Sequence, residues 1–227
     1  MKQYNLDIEL HRAKGNNVMY MLLPMKPNSE LMDTEAVRFG VNIAVITGMY
    51  WDDDLTPWPA PGEPPGDPAF KGLSSSFLSY LITNVQPSVE KELSLDNPER
   101  TLCRISLSGL FAVWARTRTA VFHNIISISG SFWYKDFVDW LKTADFPPLP
   151  SVDDKLKQMG KIYLSLGKNE PESPVVAFRS VGTGTTSVVD TLRHAGFDVT
   201  FRMVPGNHYQ HFEPRLILAI TDIFGTN

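Results

Sequence analysis

Three polar residues stand directly after apolar runs, and together they could cleave an acyl bond. Ser106 ends the run T-L-C-R-I-S and begins the segment S-L-S-G-L-F-A-V-W-A. A serine on a sharp turn from strand to helix projects its Oγ above the sheet. The free backbone N–H groups of the helix behind it favour an oxyanion nearby. The same residue type is also a common helix N-cap, so this segment alone leaves both roles open. Glu170, in L-S-L-G-K-N-E-P-E-S-P, could hold an imidazole in the correct tautomer, with Glu172 as its rival. His208 lies in the turn P-G-N-H-Y-Q-H-F, where an exposed general base is expected, and His211 competes with it. His11, His123 and His194 fall in peripheral or helical segments and read as structural or solvated.

The elements that must position these groups follow from hydropathy. Short runs rich in Ile and Val occupy residues 18–23, 41–47, 102–106, 125–129, 162–166 and 199–204. Such runs, without polar alternation, suit strands covered on both faces. Helical spacing appears over 70–85 (Phe77, Leu78, Leu81, Ile82, Val85), over 107–116, at Phe137, Val138 and Leu141, at Val188, Val189, Leu192 and Ala195, and over 214–224. Gly196 is a natural stop for the fourth of these. Strands alternating with helices predict an α/β fold with a mainly parallel central sheet in three layers. In such sheets ligands bind beyond the carboxyl ends of the strands, where Ser106, Glu170 and His208 all fall.

Composition narrows the class. The 227 residues carry 21 basic and 25 acidic side chains, a net charge of −4, with 43% hydrophobic and 20% charged residues. That excludes a disordered chain and gives no sign of nucleic-acid binding. The single cysteine, Cys103, excludes an intrachain disulfide and a multi-thiolate metal site, and it reads as a buried bystander. The start, M-K-Q-Y-N-L-D-I-E-L, lacks the apolar core of a secretory signal, and no apolar stretch reaches membrane-span length. The expectation is one domain over residues 1–227, cytoplasmic, with no membrane partner and with homo-oligomerisation left open. Two stretches break the rhythm: a Pro-rich loop at about 52–68, with six prolines from Pro57 to Pro68, and a short lid segment at about 144–160.

The order serine, acid, histidine is that of the α/β-hydrolase fold. The residues around it also resemble the putative-esterase (esterase D-like) family, in the branch of the siderophore esterases that cleave enterobactin-type trilactones. R-I-S-L-S-G-L-F-A resembles the family's G-x-S-x-G-G-L-F-A, with Gly109, Leu110, Phe111 and Ala112 setting the register on Ser106. S-I-S-G-S-F-W-Y is similar to the family's next strand. D-L-T-P at Asp54 to Pro57 and F-L-S-Y-L-I-T-N-V-Q-P resemble its loop motif and following helix. Y-L-S-L-G-K-N-E and P-G-N-H-Y-Q resemble the segments bearing its acid and its histidine.

The resemblance implies an esterase with Ser106 as nucleophile, His208 as base and Glu170 as acid, requiring no metal or organic cofactor and taking a small-molecule ester. It implies backbone oxyanion donors at Leu107 and Met25, Pro24 having no N–H. Trp51, Trp58, Trp133 and Tyr209 fall on loops near the expected site; of these Trp51, Trp133 and Tyr209 are the candidate substrate contacts. The other readings are a non-catalytic hydrolase-fold binding protein and a thioesterase or acyltransferase using the same residues. The chain departs from the pattern in three places. Arg104 and Ser108 replace motif glycines, so Arg104 is expected to point outward or the turn to open. L-L-P-M stands in place of the family's L-D-G. Tyr50 to Asp53 stand where the family often has an arginine, which argues against a strongly anionic ligand.

Overall fold

The six apolar runs form six strands of one seven-stranded sheet in the computed structural model, which describes residues 4–149 and 159–225. The strands are β1 (Asp7–His11), β2 (Asn17–Leu22), β3 (Val41–Thr47), β4 (Arg100–Ile105), β5 (Asn124–Ile128), β6 (Lys161–Gly167) and β7 (Asp198–Val204). Their order is β1-β3-β2-β4-β5-β6-β7. Only β1 runs antiparallel, Glu9 opposite Val45; the other neighbours are parallel, with Leu22 beside Arg104 and Arg104 beside Ser127.

The helices are α1 (Ser29–Phe39), α2 (Trp51–Asp54), α3 (Ser74–Tyr80), α4 (Gln86–Glu92), α5 (Leu107–Arg116), α6 (Phe137–Leu141), α7 (Val181–His194) and α8 (Phe212–Phe224). Alternation along the buried strands feeds two cores. Tyr20, Leu22, Leu102, Ile125 and Leu164 face α3, α5 and α7, packing on Phe77, Phe111, Trp114 and Val188. Met19, Met21, Cys103, Ile126 and Tyr163 face α1 and α8, packing on Met32, Leu216 and Ile220. Burying each large apolar side chain is worth about 1.5–3 kcal/mol. That packing holds α6, whose five residues are far too few for an isolated helix.

Two elements go beyond the sequence reading. β1 is half-exposed and carries too few apolar residues to stand out from a polar segment. α1 buries only Met32, Glu35 and Ala36, a thin stripe; its ends are set by Asn28, whose side chain accepts the Leu31 N–H, and by left-handed Gly40. The helix expected over 70–85 starts at Ser74 and continues through a π-helical turn, Leu81–Val85, into α4. The expected Pro-rich loop is anchored by α2 and by a bridge between Ala60 and Phe70. Asp54 is buried and accepts the Tyr50 N–H at 2.9 Å, a structural role within the loop. Most of the expected lid, residues 150–158, lies outside the described residues.

Arg104 overturns its expectation. It neither points to solvent nor opens the turn; it is 1% exposed. Alternation along β4 places it on the Leu102 face, with its guanidinium 5.5 Å from the Phe111 ring. None of its three side-chain nitrogens has a hydrogen-bond partner among the described residues. Desolvation pushes its pKa well below the ordinary guanidinium value. The turn closes beside it because the close approach is made elsewhere. A Cβ on Gly109 would meet Ser127 Oγ at 2.6 Å and the Gly130 Cα at 2.9 Å. Ser108 fits its motif position by bonding inward, its Oγ 2.7 Å from the Ile105 carbonyl and 3.1 Å from that of Leu22.

An unpaired buried charge opposes folding more than an apolar side chain of similar length. Arg104→Met is therefore expected to raise the unfolding free energy by about 1 kcal/mol or more, read from urea denaturation. A loss of stability would mean that the guanidinium is compensated.

Candidate active site

β4 ends at Ile105, and the chain reverses into α5 within one residue. That residue, Ser106, takes a positive-φ backbone, φ 57° and ψ −127°. Such a conformation is costly for a residue with a Cβ, by about 1–3 kcal/mol, and persists only where its surroundings enforce it. Here the Ser106 N–H donates to the Ile128 carbonyl at 3.0 Å, and its carbonyl accepts from Ser131 and Leu110, each at 3.1 Å. Its Oγ then stands at the carboxyl edge of the sheet, 3.3 Å from Ser131 Oγ. It caps no helical N–H, so the N-cap alternative does not hold.

His208 sits on the turn after β7 with its Nε2 3.0 Å from Ser106 Oγ and its Nδ1 2.9 Å from Glu170 Oε2. The three residues read from separate segments are thus in hydrogen-bond contact across sequence separations of 102 and 38 positions. The competitors lie elsewhere. Glu172 is exposed and accepts from the Asn169 side chain, while His211 is exposed at the start of α8. His11 contacts Asp33, His123 accepts the Arg100 N–H, and His194 contacts the Asp190 carbonyl.

Glu170 is held from several sides. Its Oε1 accepts from Ser129 Oγ at 2.5 Å and from the Gly167 N–H at 2.6 Å, with Arg215 Nη1 at 3.5 Å. Burial alone would push this carboxyl up. Hydrogen bonds from His208, Ser129 and the Gly167 backbone outweigh burial and hold it below its ordinary value of 4.5. Arg215, 3% exposed, also donates to Ser129 Oγ at 3.0 Å and to the Pro205 and Asn207 carbonyls at 2.9 Å each. One guanidinium so ties the acid to the turn that carries His208. The sequence reading missed Arg215 and Ser129 in these roles, because their only signal is the spatial meeting of α8 with the end of β5.

A cleft of about 270 Å³ opens over Ser106, Glu170 and His208. Leu107, Trp51, Trp133 and Tyr209 line it, as does Ser131. Leu107 opens α5, whose first-turn N–H groups have no partner within the helix. The Pro-rich loop adds Asp52, Glu63 and Phe70, and the segment after Glu170 adds Val175 and Phe178; the sequence reading had singled out none of these as cleft residues. Met25 is not part of the wall, and its side chain is 74% exposed beyond the end of β2. Trp58 does not line the cleft either: it packs on Tyr134, Phe137 and Trp140 and donates to the Lys135 carbonyl. Among the described residues no group of three His, Cys, Asp or Glu could hold a metal ion, and no helix is long and apolar enough to cross a membrane.

Comparisons with known proteins bear on the family and the fold. A family model described as "Putative esterase" matches residues 29–223. The uncharacterized protein YbbA of Bacillus subtilis (strain 168) is 24% identical over 183 residues, which is 77% of this chain and 70% of that protein. An IroE-like serine hydrolase from Shewanella oneidensis superposes with a TM-score of 0.77 at 15% identity, covering 98% of this chain and 80% of that one. The siderophore hydrolase EstB from Aspergillus nidulans superposes at 0.73 with 16% identity, covering 96% and 90%. At such identities the superpositions show a shared fold, that of the α/β-hydrolases.

The lowered Glu170 carboxyl has a consequence for stability. Its native pKa lies below the unfolded value, so its contribution is present above about pH 4.5 and is lost as pH falls through the lower native value. Glu170→Gln should therefore flatten the acid side of the Tm-against-pH curve while lowering Tm at pH 7. Parallel acid limbs for the two proteins would contradict this.

Proposed function

The chain belongs to the putative esterase family, a family of carboxylic-ester hydrolases, and on that premise we propose that it cleaves its ester through an acyl-enzyme formed on Ser106. The observation that carries this reading is the pair of contacts made by one imidazole, 3.0 Å to Ser106 Oγ and 2.9 Å to Glu170. With its Nδ1 proton donated to the carboxylate, His208 presents an unprotonated Nε2 to the serine hydroxyl. Ser106 Oγ attacks the ester carbonyl as its proton passes to His208. The imidazolium, steadied by Glu170, returns that proton to the leaving alcohol as the carbonyl–alkoxy bond breaks. Water, deprotonated by the same imidazole, then attacks the acyl-enzyme, releasing the acid and restoring the serine.

The tetrahedral intermediate needs donors aimed at its oxyanion. The Leu107 N–H, at the start of α5 beside the nucleophile, is the first, and the Met25 N–H is assigned as the second. β2, which leads to Met25, is the neighbour of β4 in the sheet. One such donor is worth about 3–4 kcal/mol in a working enzyme. Trp51, Trp133 and Tyr209 form the wall against which the substrate packs. The named activity of EstB makes siderophore esters one candidate substrate class. A cytoplasmic location is part of the same proposal. The buried Cys103, its thiol pushed up to about 12 by desolvation, asks for no oxidising compartment.

Fluorophosphonate labelling tests the assignment. The native protein should label and Ser106→Ala should not, while Ser106→Ala and His208→Ala should each lower kcat/KM for a p-nitrophenyl ester by about 10⁴-fold or more. Labelling that survives Ser106→Ala would reject the nucleophile. A native protein that neither labels nor turns over any ester would point to a binding role instead.

A further inference from the structure

The cleft has an unbalanced charge. The Glu170 carboxylate is answered by His208 and Arg215 and does not project free charge into the opening. Asp53, at the back of α2, is paired with Lys71 at 2.6 Å. Asp52 and Glu63 also line the cleft, and among the described residues neither forms an ion pair. Among the described residues no lysine or arginine lines it. Arg179, next to the lining residue Phe178, is not itself a lining residue; its Nε donates to the carbonyl of Ser173, which also lines the cleft, at 2.8 Å.

Two carboxylates at an open rim would ordinarily be a solvated edge. Here they share the cleft with several aromatic side chains. The Trp133 ring lies 4.4 Å from Phe178 and 6.3 Å from Phe70, centroid to centroid, and Trp51 and Tyr209 stand on the same cleft. Aromatic faces carry negative electrostatic potential and attract cations, most strongly where water is displaced. Aromatic rings together with unpaired carboxylates are the chemistry that recognises an ammonium or guanidinium group, and they repel an anion.

We propose that this cleft selects carboxylic esters bearing a cationic group, with Asp52 and Glu63 and the Trp51–Phe70–Trp133–Phe178 wall as its recognition surface, and that it discriminates against anionic esters. The inference rests on the esterase reading and adds the charge class of the substrate. Asp52 already shows the strain of the uncompensated charge. Desolvation first, then Asp53 and Asp67, push its carboxyl above the ordinary value, and a bound cation would relieve that.

The test holds the acyl group constant and changes only the alcohol. Butyrylcholine, its neutral isostere 3,3-dimethylbutyl butyrate and the anionic 3-sulfopropyl butyrate are compared by kcat/KM on the intact protein. The expected order is cation over neutral over anion, with about tenfold or more between the first two. That ratio should shrink as ionic strength rises from about 20 to about 500 mM. In the Asp52→Asn, Glu63→Gln double variant it should fall towards one. Ser106-dependent turnover of the neutral ester with no preference for the cation would overturn the inference and leave the esterase reading standing. A cation preference that survives both substitutions would overturn the assignment to Asp52 and Glu63. No turnover of any of the three, with no fluorophosphonate labelling, would remove the esterase reading and this inference together.

Discussion

The Glu170 carboxylate is the point on which the site's geometry depends. A buried anion is tolerable only when its lone pairs are answered, and this one is answered by Ser129 after β5, Gly167 at the end of β6, His208 after β7 and Arg215 on α8. Four separately positioned segments converge on two oxygen atoms. Because Arg215 also bonds the Pro205 and Asn207 carbonyls, the turn presenting the imidazole is fixed by the same network that holds the acid. The imidazole's orientation toward Ser106 is then a consequence of sheet and helix packing rather than of the turn's own preference.

The other half of the site is a strained backbone. Ser106 holds positive φ because β4 and α5 must reverse direction within one residue, and because Ile128 and Ser131 bond its backbone from the neighbouring strand and turn. Gly109 and Gly130 let α5 approach that turn closely. The buried Arg104, set on β4 two residues before this strain, shows that the elbow tolerates a large side chain when strand alternation directs it under the helix, onto the Phe111 ring. The spatial need for small residues is concentrated at Gly109, not spread evenly over the motif.

The cleft joins two loops whose composition alone says little about their use. The Pro-rich stretch is held by α2 and the Ala60–Phe70 bridge, and this brings Trp51, Asp52, Glu63 and Phe70 to one wall. The segment after Glu170 supplies Phe178, which meets Trp133 across the opening. A site built from rigid strand ends below and loops above holds Ser106, Glu170 and His208 in fixed relation, while loops supply most of the cleft wall.

Local pattern in the sequence determined six strands, the parallel sheet and the order of serine, acid and histidine, because apolar runs and turn residues act over a few neighbouring positions. It pointed to Ser106, Glu170 and His208 by their places after those runs. On local grounds it favoured Glu170 and His208 but could not exclude Glu172 or His211, since each pair shares one loop and solvent-compatible chemistry. The family resemblance favoured Glu170 and His208; the tertiary structure brings those two into contact. Only the tertiary structure places β1 and α1, whose apolar signals are too thin to stand above a polar background. It alone turns Arg104 inward, moves Trp58 into the packing of α6, and recruits Arg215 and Ser129 to the acid. Each of these depends on contacts between segments far apart in the chain, and no local propensity encodes which distant surface a side chain will meet.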